Sequence, residues 1–586
     1  MHLKKTLKSL FKLLPLLWLA ACFTKEGEDK GMKVFHYPVA VKIKGIDPIQ
    51  ADDLYSGTEV SRVYDGLLEY HYLKRPFTLQ GNLAQDLPTV SDDGLTYTFK
   101  IRPGVHFHDN KCFKNSIGRE LVADDIRYTF MRNADPKENS KGWWMIDGKI
   151  KGLDDWRKNP DYSQDIEGLK VIDEHTFSFT LNEPFPQFLY ALAMPFSFIV
   201  PRECVEHYGQ EFLNHPVGTG PYTLDTFNQS NKIVYQRNKK FRDKFYPTEA
   251  AEEFVKRGLL KDAGKKLPFF DKIVVEVMVE SQPRWLKFQD GKIDFIAIPK
   301  DNFSSVLTSE MELTDEMKQK EIELLIEPSQ DVSYTAFNHD LPLFQNKKLR
   351  QALAMATNGD EYNKLFFNGT ALVAQSIVPP GLAGYDEKFQ NPYRQYNLEK
   401  AKKLLAEAGY PEGKGLPEIT LDGTNSTDAR QMAEFTKMSL EKLGLKIKTI
   451  QNPWPELQNK IKLRKGMMHS IAWLADYPDA ESFFAILYGP NGSPGANGSN
   501  YNDPVFNKMV KEASTMQDSP ERTALYTKMN RYIAEEVPVI FELHRTSVVV
   551  QHAWIKNFVV GDFAHDRSMY INVDTKQKER LLEEKF

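Results

Sequence analysis

Between residues 397 and 450 the chain spells out helix, strand, helix and strand in succession, and this alternation limits the possible folds more than any other feature. Asn397-Leu398-Glu399-Lys400-Ala401-Lys402-Lys403-Leu404-Leu405-Ala406-Glu407-Ala408-Gly409 is a capped amphipathic helix ending in glycine. Ile419-Thr420-Leu421 follows as a short strand. Ala429 to Leu443 is a second helix, stopped by Gly444, and Lys446-Ile447-Lys448-Thr449-Ile450 is the strand after it. Elements in that order pack as an α/β layer. A chain of 586 residues is too long for one core, so at least two lobes are expected. Hydrophobic residues at 41% and charged residues at 27% match a folded chain rather than a disordered or membrane-embedded one.

Other elements fit the same picture. Val34 to Ile46 reads as a strand. Thr96-Tyr97-Thr98-Phe99-Lys100-Ile101 alternates with period two and is closed by the turn Arg102-Pro103-Gly104, with a further strand expected at Val105-His106-Phe107-His108. A helix starts at Ala123-Asp124-Asp125-Ile126, where Asp124 suits the positive helix end. Thr176-Phe177-Ser178-Phe179-Thr180-Leu181 is another alternating strand. Pro520 to Glu536 is helical, and Val537 to Phe541 returns as a strand.

At the N-terminus Lys4, Lys5, Lys8 and Lys12 form a basic head before the apolar run Leu13 to Leu19. That run suits a secretory signal and is too short to span a bilayer. The following Leu19-Ala20-Ala21-Cys22 resembles the lipobox of bacterial lipoproteins. It implies a signal peptide over 1–21, a lipid anchor on Cys22 and a tether over 22–31. Removing the four lysines of the head leaves 72 Lys and Arg against 80 Asp and Glu, a net charge of −8. That balance, without a basic–aromatic stripe, speaks against nucleic acid as a partner. Cys22, Cys112 and Cys204 are the three cysteines. They cannot build a disulfide scaffold or a metal cluster, and whether Cys112 and Cys204 pair is left open.

Several short stretches, read in order, resemble the peptide- and nickel-type family of bacterial extracellular solute-binding proteins, which includes oligopeptide- and dipeptide-binding lipoproteins of ABC importers. They include Gly45-Ile46-Asp47-Pro48, Val63-Tyr64-Asp65-Gly66-Leu67-Leu68-Glu69, Asp92-Asp93-Gly94-Leu95-Thr96-Tyr97-Thr98-Phe99, Phe107-His108-Asp109-Asn110, Gly218-Thr219-Gly220-Pro221-Tyr222 and Leu349-Arg350-Gln351-Ala352-Leu353-Ala354. The resemblance runs from about Gly45 to Phe558. It implies an α/β periplasmic-binding-protein fold (type II-like): a first lobe over 32–330 with an inserted subdomain at about 66–200, a second lobe over 331–544, and a return to the first lobe over 545–586. Hinge strands are expected near Ser333-Tyr334-Thr335 and Phe541-Glu542-Leu543, with ligand enclosed as the lobes close.

The same resemblance singles out Ile471-Ala472-Trp473-Leu474-Ala475-Asp476. An aspartate three residues after tryptophan pairs with a peptide's α-ammonium in oligopeptide-binding relatives, which implies that role for Asp476. The backbone of Ile471, Ala472 and Trp473 would add the ligand as a strand, and Trp473 would form a flat wall. Asp53 and Leu54 fall where a first-lobe loop meets the ligand backbone, and Trp454 matches an aromatic near the pocket. Trp143 and Trp144 are open between ligand contact and packing. Ser470 and Asp428 stand where some relatives carry the basic and imidazole groups that hold the peptide carboxylate, with Arg430 close by.

The implied function is capture of peptides in the periplasm or at the cell surface, as an exported, lipid-anchored monomer, for delivery to an ABC permease and its ATPases. Opine or murein-peptide binding on the same scaffold is an alternative, as is nickel capture through His106, His108 and Asp109. No phosphate-binding glycine loop, His-Glu-x-x-His helix or Gly-x-Ser-x-Gly elbow is present, so no catalytic residue, cofactor or resident metal is expected.

Overall fold

In the computed structural model, residues 31–560, 563 and 567–586 are described. Cys22 and the basic head lie outside them. Among the described residues, no helix is long and apolar enough to cross a membrane.

Three sheets frame the molecule. The first has the order Val34–Val39, Lys272–Val277, Lys232–Arg237, Tyr222–Phe227. Its first pair is parallel and the others antiparallel. Between its first and last strands in that order the chain inserts a separate antiparallel sheet, built from Thr89–Val90, Thr96–Lys100, Thr176–Thr180 and Leu169–Asp173. Phe99, Phe177 and Phe179 pack edge to face on its buried side. Cys112 and Cys204 form a disulfide with Cα atoms 4.9 Å apart across 92 residues of sequence.

A second, three-stranded sheet joins Phe295–Ala297, Thr546–His552 and Ile322–Pro328. The third sheet has six strands, in the order Leu372–Val373, Val539–His544, Asp331–Phe337, Met468–Leu474, Ile419–Thr424, Ile447–Asn452. Asn397 caps the helix Leu398–Glu407 by accepting from Lys400 N–H at 2.9 Å. Ser426 does the same for Thr427–Glu441 at 3.2 Å. These helices lay Ala401, Leu405, Ala433 and Leu440 against Leu421, Ile447 and Met468, a separate core. Helix and strand alternation thus yields an α/β lobe, and the whole is a two-lobed fold with an extra subdomain.

One expectation needs correction. Val105 to His108 is not a strand: Phe107 N–H bonds to Arg119 O while His108 N–H bonds to Gly218 O, and only His106 forms an isolated bridge, with Glu120. The backbone changes partner at successive residues, so no ladder forms. The segments expected as hinges, Ser333 to Thr335 and Phe541 to Leu543, lie inside the six-stranded sheet and pair with each other across a β-bulge. The chain changes sheet a few residues away, at Ser329-Gln330 and at Arg545. There the two crossings touch, with Ser329 N–H donating to Arg545 O at 2.9 Å.

Candidate ligand-binding cleft

A cavity of about 560 Å³ lies between the lobes, a size typical of small-molecule sites. Loops 40–42 and 51–55 and the helix Ser281–Gln289 approach it from one side. The helix starts at 426–429 and 453–454, together with the strand Met468–Leu474, approach from the other. Asp53, Leu54, Trp454, Ile471, Ala472, Trp473 and Asp476 all line it.

The strand Met468–Leu474 pairs along its full length with Asp331–Phe337, but its other edge meets Ile419–Thr424 only at Met468 and His469. Among the described residues that edge has no strand partner from Ser470 onward, and Ser470 to Leu474 line the cavity. An extended backbone laid there would find N–H and C=O groups at strand spacing.

Asp476 lies two residues beyond the end of this strand. Its backbone N–H donates to Ser482 Oγ at 2.9 Å, and Trp473 Nε1 donates to the same oxygen at 3.4 Å, so one buried serine fixes both residues. Asp476 Oδ2 is enclosed and has no hydrogen-bond partner among the described residues. Burial pushes its carboxyl up to about 7, opposed only by a hydrogen bond to Ser482. A buried acceptor without its partner is costly, and a cationic ligand group relieves that cost.

Asp53 is differently employed. As cap of the helix Leu54–Val63 it accepts from Tyr55 and Ser56 N–H at 3.1 and 3.0 Å, and it pairs with Lys44 at 3.0 Å. Its carboxylate therefore serves the protein, while Leu54, 41% exposed, presents its side chain at the cavity wall. Trp454 packs edge to face with Tyr55, ring centroids 6.2 Å apart, and its enclosed Nε1 has no acceptor among the described residues. Trp144 lines the cavity, whereas Trp143 packs beneath the Arg157 guanidinium at 4.5 Å. Ser470 and Asp428 line the cavity. Arg430 does not: it donates to Thr427 Oγ1 at 2.9 Å and faces Glu280 at 4.0 Å.

His106, His108 and Asp109 do not converge as a ligand set. His108 Nε2 bonds to Gly220 O at 2.9 Å in the interior, Asp109 pairs with Lys240 at 2.7 Å, and His106 is exposed near Gly104 O.

Sequence reasoning missed a set of charges across the cleft. Asp52 pairs with Lys44 from its own lobe and with Lys462 from the other, the latter at 3.5 Å. Glu280 Oε2 accepts from Thr427 N–H at 3.1 Å, and Glu183 pairs with Lys511. These contacts link the first lobe and its inserted subdomain to the second lobe. Arg284 and Tyr55 also line the cavity. None lies in a motif, and only the meeting of distant segments reveals them.

The model of bacterial extracellular solute-binding proteins, family 5 (middle region), matches residues 78–495. Heme-binding protein A of Haemophilus influenzae is 26% identical over 94% of this chain and 94% of its own length. The dipeptide-binding protein of Escherichia coli is 27% identical over 80% of this chain and 82% of its own. The ABC transporter-associated periplasmic binding protein DppA of Helicobacter pylori, solved with the peptide STSA, superposes with a TM-score of 0.77 at 25% identity, covering 93% of this chain and 99% of that one. With the match to the family model extending over most of its length, the chain belongs to the bacterial extracellular solute-binding proteins of family 5.

Proposed function

We propose that the protein captures short peptides between its lobes and delivers them to an ABC permease with its ATPases. The observation that carries this reading is the enclosed carboxylate of Asp476, whose Oδ2 has no hydrogen-bond partner among the described residues, close to the end of an open strand edge. The carboxylate suits an α-ammonium, and Ile471, Ala472 and Trp473 offer the backbone groups that every peptide shares. The names of the dipeptide-binding relative and of the peptide-bound neighbour support the same ligand class. Closure over the ligand, through contacts such as Asp52 to Lys462, presents both lobes to the permease together. In this reading the first lobe covers 32–330 and 545–586, its inserted subdomain about 66–200, and the second lobe 331–544. The chain is exported, monomeric and anchored through lipid on Cys22. The Cys112–Cys204 disulfide supports an oxidising compartment.

Native mass spectrometry of the freshly purified protein tests the reading. Bound peptides with a free amino terminus are expected, and amine-free adducts contradict it.

One observation favours a second ligand class, an iron porphyrin. His469 lines the cavity, and burial lowers its imidazole to about 4, so it is neutral and able to ligate iron at neutral pH. The name of the Haemophilus influenzae relative, a heme-binding protein, points the same way. A Soret shift on hemin titration, lost in His469→Ala, supports this reading, and a flat titration removes it.

A further inference from the structure

One buried carboxylate in the cavity wall has no task in the reading above. Asp52 and Asp53 pair with Lys44, and Asp428, at the start of the helix Thr427–Glu441, acts on Arg284 across the cleft. Glu542 remains. It lies in the strand Val539–His544, lines the cavity and is 6% exposed. Its Oε1 accepts from Thr335 Oγ1 at 2.6 Å. Its Oε2 has no hydrogen-bond partner, and no cation forms an ion pair with the carboxylate, among the described residues. Burial pushes the carboxyl up, opposed by the Thr335 hydrogen bond and by Arg394 at longer range. A buried carboxylate without a cation is costly, and a cationic ligand group relieves that cost.

The position of Glu542 says which part of a ligand it can meet. Thr335 Oγ1 also lies 2.9 Å from Ser470 Oγ, so Glu542, Thr335 and Ser470 form a row across three neighbouring strands. Ser470 stands four residues before the strand end at Leu474, about 13 Å along it, and Asp476 lies beyond that end. The two carboxylates therefore address different groups of one ligand. An extended peptide advances about 3.5 Å per residue, so the span calls for a charge on a residue after the first.

The neighbouring wall suits a long basic side chain. Tyr362, Phe367 and Met432 line the cavity and share an apolar cluster with Leu543, the residue after Glu542. The Tyr362 and Phe367 ring centroids are 6.2 Å apart, and the Glu542 charge acts on the Tyr362 phenol. A lysine or arginine stem can lie on these side chains, with its head against ring faces and carboxylate.

We propose that Glu542 determines specificity by binding the cationic side chain of a ligand residue after the first, so that peptides with lysine or arginine at the second or third position are preferred. The assignment rests on the peptide reading and adds a side-chain preference that backbone recognition does not supply.

Calorimetry with Lys-Ala-Ala, Ala-Lys-Ala, Ala-Ala-Lys and their norleucine counterparts tests it, since norleucine keeps the stem and removes the charge. In wild type the better of Ala-Lys-Ala and Ala-Ala-Lys is expected to bind about 10- to 50-fold more tightly than its counterpart, the scale of a hydrogen bond to a charged group. Lys-Ala-Ala is expected to gain less than about threefold. Glu542→Gln is expected to reduce the lysine preference to less than about threefold while holding the norleucine peptides as wild type does. Asp428→Asn removes a different cavity carboxylate and is expected to leave the preference intact. Glu542→Asp keeps the charge on a shorter arm. Its expected preference of about three- to tenfold keeps the test decisive should Glu542→Gln fail to fold. No lysine preference in wild type, a preference confined to Lys-Ala-Ala, its full survival in either Glu542 variant, or its loss in Asp428→Asn overturns the assignment while leaving peptide binding intact. Failure of every peptide to bind wild type overturns the peptide reading itself and this assignment with it.

Discussion

Asp331 accepts the backbone N–H of Arg545 through Oδ1 at 3.0 Å and its guanidinium Nε through Oδ2 at 2.8 Å, tying together the two points at which the chain changes sheet. Asp331 is almost wholly buried, and His544 Nδ1 bonds to its carbonyl at 2.8 Å. Any opening of the cleft has to flex around this pair. Asp331→Asn removes the ion pair and is expected to cost about 2–3 kcal/mol, less than a fully buried pair because the Arg545 side chain is 38% exposed. Urea unfolding monitored by circular dichroism measures it. A cost below about 0.5 kcal/mol means the pair does not hold the crossing.

Peptide affinity is expected to depend on pH through Asp476. In the free protein burial raises its carboxyl to about 7. A bound ammonium favours the charged form and lowers that value, so binding expels a proton and weakens as pH falls through 7. Between pH 7.5 and 5.5 the affinity is expected to fall about 20-fold, approaching tenfold per unit at the acid end. Glu542, also raised by burial, shifts in the same direction if it senses the ligand. Calorimetry in buffers of differing ionisation enthalpy detects the released proton, and a pH-independent constant removes Asp476 from the linkage.

The Cys112–Cys204 bond closes a loop of 92 residues around much of the inserted sheet. Loop-closure entropy assigns such a bond about 4.6 kcal/mol. The double variant Cys112→Ser/Cys204→Ser is expected to melt earlier, with dithiothreitol lowering the melting temperature of wild type but not of the variant. Equal sensitivity of the two to reductant contradicts this.

Lys462 spans the cleft to Asp52, and Lys44 keeps Asp52 paired when Lys462 is gone. Lys462→Met is therefore expected to loosen closure rather than damage a lobe. All peptides should bind about three- to tenfold more weakly, with their ranking unchanged. Small-angle scattering should show a larger radius for the ligand-free variant. An altered ranking instead places Lys462 against the ligand.

The α/β lobe was legible because its signals are local. Asn397 and Ser426 cap their helices through their own side chains, and the apolar stripe of Leu398–Glu407 is written at helical spacing. Asp476 and the six other site residues named from the sequence line one cavity. Val105 to His108 misled because alternation does not say which segments the backbone meets, and here it meets two. The segments named as hinge strands lie within a few residues of the points where the chain changes sheet, at Ser329-Gln330 and Arg545. Arg284 was invisible for a different reason. An arginine in a short helix means nothing until distant segments enclose the cavity that it lines.

The most direct measurement compares a bound dipeptide with its N-acetyl derivative, by calorimetry, on wild type and on Asp476→Ala. Wild type should lose about 3–5 kcal/mol of binding on acetylation, the variant should lose a similar amount of affinity for the free dipeptide, and acetylation should then change little. If wild type holds the acetylated dipeptide as tightly as the free one, the carboxylate does not grip an amine, and peptide capture through Asp476 is wrong.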